Sequence, residues 1–404
     1  MRIAWVTPYL PEPAASGGAI RQQRLARAVS EQAELHLFAR GELWERARLQ
    51  SPELAFFATR WLGRDYFGSS DEPPGTAPPP RRAQRGSPRS LWRALSKAHS
   101  QTPFDGVIVS HSWAARGAHA FGLPWLLDEH NIESRFFLDL ARARGVDARS
   151  VSQETLAFER WERQTWTQAS AVTCVSAEDA ASIAPYLPSV GNAQRTARVV
   201  RNGADLGHFS TVPASARQGG VLFVGSLHHW PNVLAAQKLI LHILPKVWRL
   251  HPKLELTIVG GPVPAALQAA ARSAPGRVLL SGRVADVTPY LSQARVFANP
   301  VEHGAGSSLK TIEALAAGVP LVSTELGARG FSLVPGQHYA QAESADEFAA
   351  EILQALAFDP SVAARVAAGN ESAQHQSWSA LGREFASHVA STFAEARRPQ
   401  PAFR

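Results

Sequence analysis

The feature that most constrains this chain is a repeated alternation. Short β-rich apolar runs are separated by stretches with helical periodicity. In the first half the runs are IAWVT (3–7), LHLF (35–38), GVIVS (106–110), WLLD (125–128), AVTCVS (171–176) and ARVVRN (197–202). In the second half they are VLFVG (221–225), LTIVG (256–260), VLLSG (278–282), VFANP (296–300) and PLVST (320–324). Helical patterns lie between them, such as 19–31 with Ile20, Leu25, Ala28 and Val29 on one stripe. Later ones fall at 232–249, 264–272, 287–293, 307–317 and 345–357. Strands apolar on both faces and separated by helices predict parallel, doubly wound sheets, because crossover helices cover both faces. Two complete sets predict two such domains, and 404 residues exceed what one hydrophobic core usually serves.

The expected boundaries are 1–208 for the first domain and 209–375 for the second. A last amphipathic helix within 376–404 is expected to cross back to the first. Open α/β sheets bind ligands at their carboxyl strand edges, so a cleft there is the expected site. Residues 1–100 hold 15 Lys+Arg against 9 Asp+Glu, most of the net charge of +7. Much of this lies in a Pro/Arg-rich loop at 70–90, which contains PPGTAPPPRRAQRGSPRS (73–90). That loop reads either as a solvated segment or as a contact with an anionic membrane surface or acidic acceptor. It lacks the interleaved aromatics of single-strand readers, so no nucleic-acid partner is expected. The lone Cys174 allows no internal disulfide and no cysteine metal cage. No run reaches the roughly 18 apolar residues of a membrane span. The amino-terminal apolar run is too short for a signal-peptide core. A cytoplasmic location is expected, either free or peripheral at the inner face of the membrane.

The segment 299–324, NPVEHGAGSSLKTIEALAAGVPLVST, carries most of the chemical information. A strand ending at Pro300 runs into Gly304, Ala305 and Gly306, whose amides can come close to a ligand. Ser307 and Ser308 suit the cap and first turn of a helix that buries Leu309, Ile312 and Leu315. Gly318 and Pro320 end it. A glycine-rich turn entering a helix presents free N–H groups and about half a positive charge to an anion. Lys310 in the first turn opposes that dipole at a cost of about 0.3–1 kcal/mol. Glu313, three residues later, stands in the weaker orientation for pairing with it. A local rule broken without local compensation marks a site, and a diphosphate would reverse the sign of this cost. Glu313 is placed to accept hydrogen bonds from two ribose hydroxyls. The plain alternative is a Lys–Glu pair on a surface helix. No GxxxxGK[ST] loop exists and no GxGxxG follows the first strand, so ATPase and dinucleotide-oxidoreductase readings lose their best support.

At these residues the second half resembles the nucleotide-binding domain of GT-B retaining glycosyltransferases, specifically the glycosyltransferase 4 group (glycosyl transferases group 1). The matching blocks are VLFVGSLHHWPN (221–232), LELTIVGG (254–261), VLLSGRVADVTPYLSQARVFANP (278–300), GAGSSLKTIEALAAGVPLVST (304–324) and ELGARGF (325–331). The first half follows in order with TPYLPEPAASGGAIR (7–21), LDEHNIES (127–134), VTCVSAED (172–179) and VVRNGADLGHF (199–209). The resemblance implies an α/β chain of two Rossmann-like domains facing each other across a cleft. It implies transfer of a sugar, with retention, from a nucleotide-diphosphate donor such as a UDP- or GDP-sugar to an acceptor hydroxyl. No cofactor and no metal are expected. The acceptor stays open between a glycan, a lipid-linked sugar and a small molecule; cell-surface polysaccharide or glycoconjugate synthesis is one setting.

Residue roles follow from the resemblance. Gly17 and Gly18 would lie beside the donor phosphates and the acceptor. His130, after the strand WLLD, would contact the donor sugar, with His111 as the alternative and Asp128, Glu129 and Glu133 as candidate polar or basic groups. Lys310 and Glu302 complete the expected catalytic set. Donor binding falls to Gly225, Ser226, Arg283, Val284, Gly304, Ala305, Gly306, Ser307, Ser308, Leu309, Lys310 and Glu313. Backbone groups from Gly282 to Val284 would clasp the base, and Asp286 reads as a helix cap. Asn202, Gly203 and Asp205 read as an interdomain turn. Two departures stand out. Many relatives carry a glutamate pair spaced E-x7-E, but the first position here is Ala305, with Glu302 three residues earlier. Where relatives carry an Arg and then a Lys, Gly225 is followed by Ser226, Leu227, His228 and His229. The diphosphate would then rely on Lys310, backbone amides and Arg283 or Arg21. A nucleotide-sugar epimerase of the same plan and a non-catalytic sugar or membrane-surface binding protein remain the rival readings.

Overall fold

The computed structural model describes residues 1–10, 16–40, 58–62, 89–118, 121–143, 148–190, 193–209 and 216–396. The Pro/Arg-rich loop lies outside them except for its last two positions. The chain divides into two compact units, Met1–Val200 with Ser379–Arg404, and Arg201–Trp378.

In the first unit the strands are β1 (Arg2–Thr7), β2 (Glu34–Arg40), β3 (Ala58–Leu62), β4 (Gly106–Ser110), β5 (Trp125–Asp128) and β6 (Ala171–Cys174). A short antiparallel ribbon, β7 (Ser189–Val190) with β8 (Ala193–Gln194), precedes β9 (Arg198–Val199). The sheet order is β3-β2-β1-β4-β5-β6-β9, all parallel. Strands β4 and β5 are buried at every position, as strands covered on both faces must be. The helix Trp378–Ala396 packs here: Phe385 meets Trp5 at 5.7 Å between ring centroids, and Phe393 lies against Gly106. Burying each such phenylalanine contributes about 1.5–3 kcal/mol.

The second unit contains β10 (Val221–Val224), β11 (Leu256–Val259), β12 (Val278–Gly282), β13 (Val296–Asn299), β14 (Leu321–Ser323) and β15 (Ala340–Gln341). Their order is β12-β11-β10-β13-β14-β15, again all parallel. The helix expected over 232–249 begins at Trp230 and widens into a π turn at Leu239–Ile243 before Leu244–Val247. Pro245 supplies no N–H to the helical ladder there, a local reason for the widening.

The first boundary differs from the expected 208 because residues after Val200 are fastened to the second unit. Asn202 Nδ2 donates to Ser307 Oγ at 2.8 Å, Ala204 N–H donates to the Gln376 carbonyl at 2.9 Å, and His208 pairs with Asp286 at 3.0 Å. Asn202 and Asp205 thus belong to the second unit's own architecture.

Arg217 holds that unit together from inside. Its guanidinium donates to the carbonyls of Leu291, Ser292 and Ala294 and to those of Ala317 and Gly318, at 2.6–3.3 Å. These groups end two helices, Thr288–Gln293 and Leu309–Ala316, whose last carbonyls have no intrahelical donor. A lysine keeps the charge but cannot fork between two helix ends. Arg217→Lys is expected to cost about 1–3 kcal/mol in urea unfolding followed by tryptophan fluorescence. An unchanged midpoint would show that the caps are dispensable.

Candidate functional site

In a doubly wound sheet the crevice opens where the strand order reverses, beyond the carboxyl ends of the two central strands. In the second unit that reversal lies between β10 and β13. The loop after β10 begins with Gly225 and Ser226 and leads to Asn232 in the helix Trp230–Lys238. After β13 the chain passes through Gly304 (φ 138°) and Gly306 (φ 75°), backbone that favours glycine, and enters the helix Leu309–Ala316. Lys310 in its first turn crosses toward the other loop. Its Nζ donates to Asn232 Oδ1 at 2.6 Å and stands 4.5 Å from the centroid of the Phe223 ring. Burial lowers the Lys310 ammonium to about 7, with the Glu313 charge pulling the other way.

The glycine turn is braced from behind. The Gly306 carbonyl accepts from Arg329 Nε and Nη2 at 3.2 and 3.1 Å, and Ser307 Oγ accepts from Asn202. Ser308 takes the cap position, but its side chain makes no cap hydrogen bond, contrary to the expected serine cap. Ala305 and Glu313 are half-buried, and Leu309 is buried in the core.

The other expected residues divide. Glu302 is not brought to Lys310: it is exposed, and its carboxylate is held by Lys238 Nζ at 2.5 Å. Arg283 and Val284 follow β12, two strands from the reversal, and Arg283 is exposed. Asp286 Oδ1 accepts from Thr288 N–H at 2.9 Å, but the cap position of that helix belongs to Val287, so Asp286 stands one residue outside it. Among the described residues no cluster of three or more His, Cys, Asp or Glu is arranged to hold a metal ion.

In the first unit the reversal lies between β1 and β4, and a buried polar network fills its carboxyl end. Gly17 and Gly18 open the helix Gly17–Ser30, capped by Ser16, whose Oγ accepts from Ala19 N–H at 3.3 Å. A Cβ on Gly18 would collide with the Tyr9 hydroxyl and stand 3.2 Å from His130 Nδ1, so the structure brings the glycine and His130 together. His130 Nε2 lies 3.0 Å from Asp128 Oδ2, and Arg21 clasps Asp128 through Nη2 at 2.6 Å and Nε at 3.1 Å. Burial would raise the Asp128 carboxyl, but the Arg21 charge and His130 override it and hold it well below the usual carboxylate range. An ionised Asp128 only accepts, which assigns the proton to His130 Nε2. Burial, and then the His111 charge, lower the His130 imidazole to about 4, so it is neutral near pH 7.

Arg21 therefore is neither exposed nor open to a phosphate: it is buried, with Nη1 on the Val200 carbonyl at 2.8 Å. Glu129 is held from two sides. It accepts from Ser112 N–H at 3.1 Å and Trp166 Nε1 at 2.9 Å, and burial pushes its carboxyl up. His111, the alternative the sequence offered, stands directly beside His130. It adopts φ 65°, rare for a non-glycine residue, and its ring lies 4.0 Å from that of His130. Tyr9 Oη lies 3.0 Å from His111 Nε2, and Glu133 Oε1 lies 3.3 Å from His111 Nδ1. Tyr9 and Asn232 both lie in segments that match the family, but nothing local marks a tyrosine or asparagine as the partner of a residue 102 or 78 positions away.

The comparisons agree with this architecture. Residues 218–357 match the family model described as glycosyl transferases group 1, and the stretch lies within the second unit. A phosphatidyl-myo-inositol mannosyltransferase of Mycolicibacterium smegmatis is 28% identical over 193 residues, 46% of this chain and 49% of the relative. The match thus spans about half the length of that curated relative. Among solved structures, sucrose-phosphate synthase of Thermosynechococcus elongatus superposes with a TM-score of 0.74 at 18% identity, covering 98% of this chain and 100% of that one. Anabaena HepE in complex with UDP-glucose gives 0.68 at 14% identity, covering 97% and 100%. At these identities the likeness shows the fold, the two-sheet α/β architecture of GT-B glycosyltransferases.

Proposed function

We propose that this chain is a glycosyltransferase that moves a sugar from a nucleoside-diphosphate sugar to an acceptor hydroxyl. The observation that carries the reading is the half-buried Lys310, set beside a glycine turn at the strand-order reversal of the second unit. Departure of a diphosphate builds negative charge on phosphate oxygens, and a preorganised ammonium with the amides of 304–308 stabilises that charge. The family match over 218–357, the mannosyltransferase relative and the UDP-glucose complex of a structural neighbour support the same chemistry. We keep a UDP- or GDP-sugar as donor, retention of configuration, and a sugar-bearing or lipid-linked acceptor in cell-surface glycan synthesis as parts of this proposal. His130 is kept as a sugar-contacting residue, and Gly17 and Gly18 as backbone that admits a ligand closely.

The test is a thermal-shift and turnover panel of UDP-, GDP- and ADP-sugars on the purified chain. One nucleotide class is expected to raise Tm by several degrees, and its sugar to be hydrolysed slowly without acceptor. Isomerised donor without hydrolysis would favour an epimerase, and binding without turnover a sugar-binding protein. No shift with any nucleotide would overturn the reading.

Glu313 refines it. One helical turn beyond Lys310, its carboxylate is proposed to accept hydrogen bonds from the ribose hydroxyls. Glu313→Ala is expected to weaken ribonucleotide binding about tenfold and to erase the preference over the 2′-deoxy analogue, since charged hydrogen bonds are the strong ones. Equal binding of ribo- and deoxyribonucleotides by the wild type would refute this role.

A further inference from the structure

The loop after β10 and the helix after β13 leave the sheet on opposite sides of the reversal, and one side chain ties them. Asn232 Oδ1 accepts from Lys310 Nζ at 2.6 Å, while Asn232 Nδ2 donates to the Ser226 carbonyl at 2.9 Å. Its backbone is fixed as well, with N–H on the His229 carbonyl at 3.0 Å and Pro231 in the first helical turn. The amide lies so close over Gly225 that a Cβ there would stand 2.9–3.1 Å from it, so the glycine makes room for Asn232. From below, the ammonium rests on the Phe223 ring.

We propose that Asn232 is the positioning residue of the diphosphate site: it sets where the Lys310 ammonium stands in the crevice and yields it to the phosphate oxygens of an arriving nucleoside diphosphate. This deepens the proposed function and rests on it. A lysine on a freely rotating stem loses much rotamer entropy when it meets a ligand, and one already held in place loses less. The holding group must also let go. A neutral amide oxygen makes a weaker bond to an ammonium than phosphate does, whereas a carboxylate would compete for it. After the exchange Asn232 keeps its hydrogen bond to Ser226, so the loop shape survives the change of partner. Glu313 is the charged group that acts on Lys310 in the free chain.

The experiment is calorimetry of the full chain with UDP-glucose and GDP-mannose across neutral pH, paired with carbon-13 NMR of lysine Cε to follow Lys310 protonation without ligand. Asn232→Ala is expected to weaken binding about tenfold and to displace the Lys310 titration, as loss of a charged hydrogen bond implies. Asn232→Asp keeps the size and the acceptor toward Lys310 but adds a charge and gives up the donor to the Ser226 carbonyl. It should move the Lys310 titration upward and weaken binding further, and it carries the test if the alanine variant does not fold. A merely structural asparagine would change affinity with the Lys310 titration unmoved, which overturns the proposal. So would wild-type affinity in both variants while Lys310→Met abolishes binding, an outcome that leaves the glycosyltransferase reading standing. Failure of the wild type to bind either nucleotide sugar overturns both.

Discussion

Exchanging Lys310 for methionine is expected to leave the fold intact and to weaken nucleoside-diphosphate-sugar binding about a hundredfold, the scale of losing one member of a desolvated charge pair. Methionine fits the apolar bed over Phe223, so the loss reports the charge and not a cavity. The wild type carries a pH signature that the variant should lack. Burial lowers Lys310 to about 7 in the free chain, and a diphosphate favours its charged form. Binding therefore takes up roughly half a proton at pH 7 and nearly a whole one by about pH 8. Affinity is flat below that range and falls toward tenfold per pH unit above it. The diphosphate of a nucleotide sugar has no ionisation of its own near neutrality, so calorimetry in buffers of different ionisation enthalpy reads the protein's proton. Uptake that persists in Lys310→Met would assign it to another group. The stability sign also follows. The folded value lies below the unfolded one, so the desolvated ammonium opposes folding fully below about 7 and is relieved progressively as pH rises from there toward the ordinary lysine value of 10.5. The methionine variant is accordingly expected to melt no earlier than the wild type near neutrality.

Asp128→Asn is expected to cost the first unit about 3–5 kcal/mol, because it leaves the buried Arg21 guanidinium without its counter-charge. The substitution conserves shape but breaks two relationships at once. The amide has one acceptor where the carboxylate had two, and its NH2 must face Arg21 in either orientation, with the Thr173 hydroxyl beside Nη2 or the His130 Nε2–H beside Nε, donor against donor. Acid titration separates this from a packing defect. The Asp128 carboxyl is held well below its usual range, so its contribution is complete above an unfolded carboxylate value of about 4 and is lost as pH falls below it. The stability gap between wild type and Asp128→Asn, measured by urea unfolding, should therefore narrow as the pH drops through that region. A gap independent of pH would show that the Arg21–Asp128 pair is not its source. Arg21→Met together with Asp128→Asn should recover part of the loss, since removing both partners strands no charge.

Several elements were legible because their cause is local. The strands GVIVS, WLLD and VLLSG fall at Gly106–Ser110, Trp125–Asp128 and Val278–Gly282, and the helix 345–357 is Ala345–Ala357. Each has an apolar run or stripe bounded by its own stop or cap, as with the capping box of Ser344 and Glu347. The strand β3 and the two-residue β15 were not anticipated. Each owes its state to pairing at a sheet edge, which ATRWL and AQ do not advertise by themselves. ARVVRN reads as six residues of strand, yet only Arg198 and Val199 pair, because the chain after Val200 turns to the second unit.

The site divides along the same line. The misplaced cation Lys310 was visible because its violation is with its own helix, one turn from the dipole it opposes. What Lys310 touches was not visible, since Asn232 comes from the other side of the strand-order reversal. Arg21 and Asp128 could be suspected singly, but their mutual neutralisation, which removes both from phosphate or base roles, appears only when β5 and the first helix are packed. Sequence by itself determined the alternation, the sheet type, the glycine turn and the odd lysine, all set by forces acting over a few residues. The tertiary structure alone decided which charges are already spent on each other, because in a buried site that depends on side chains brought together from distant strands.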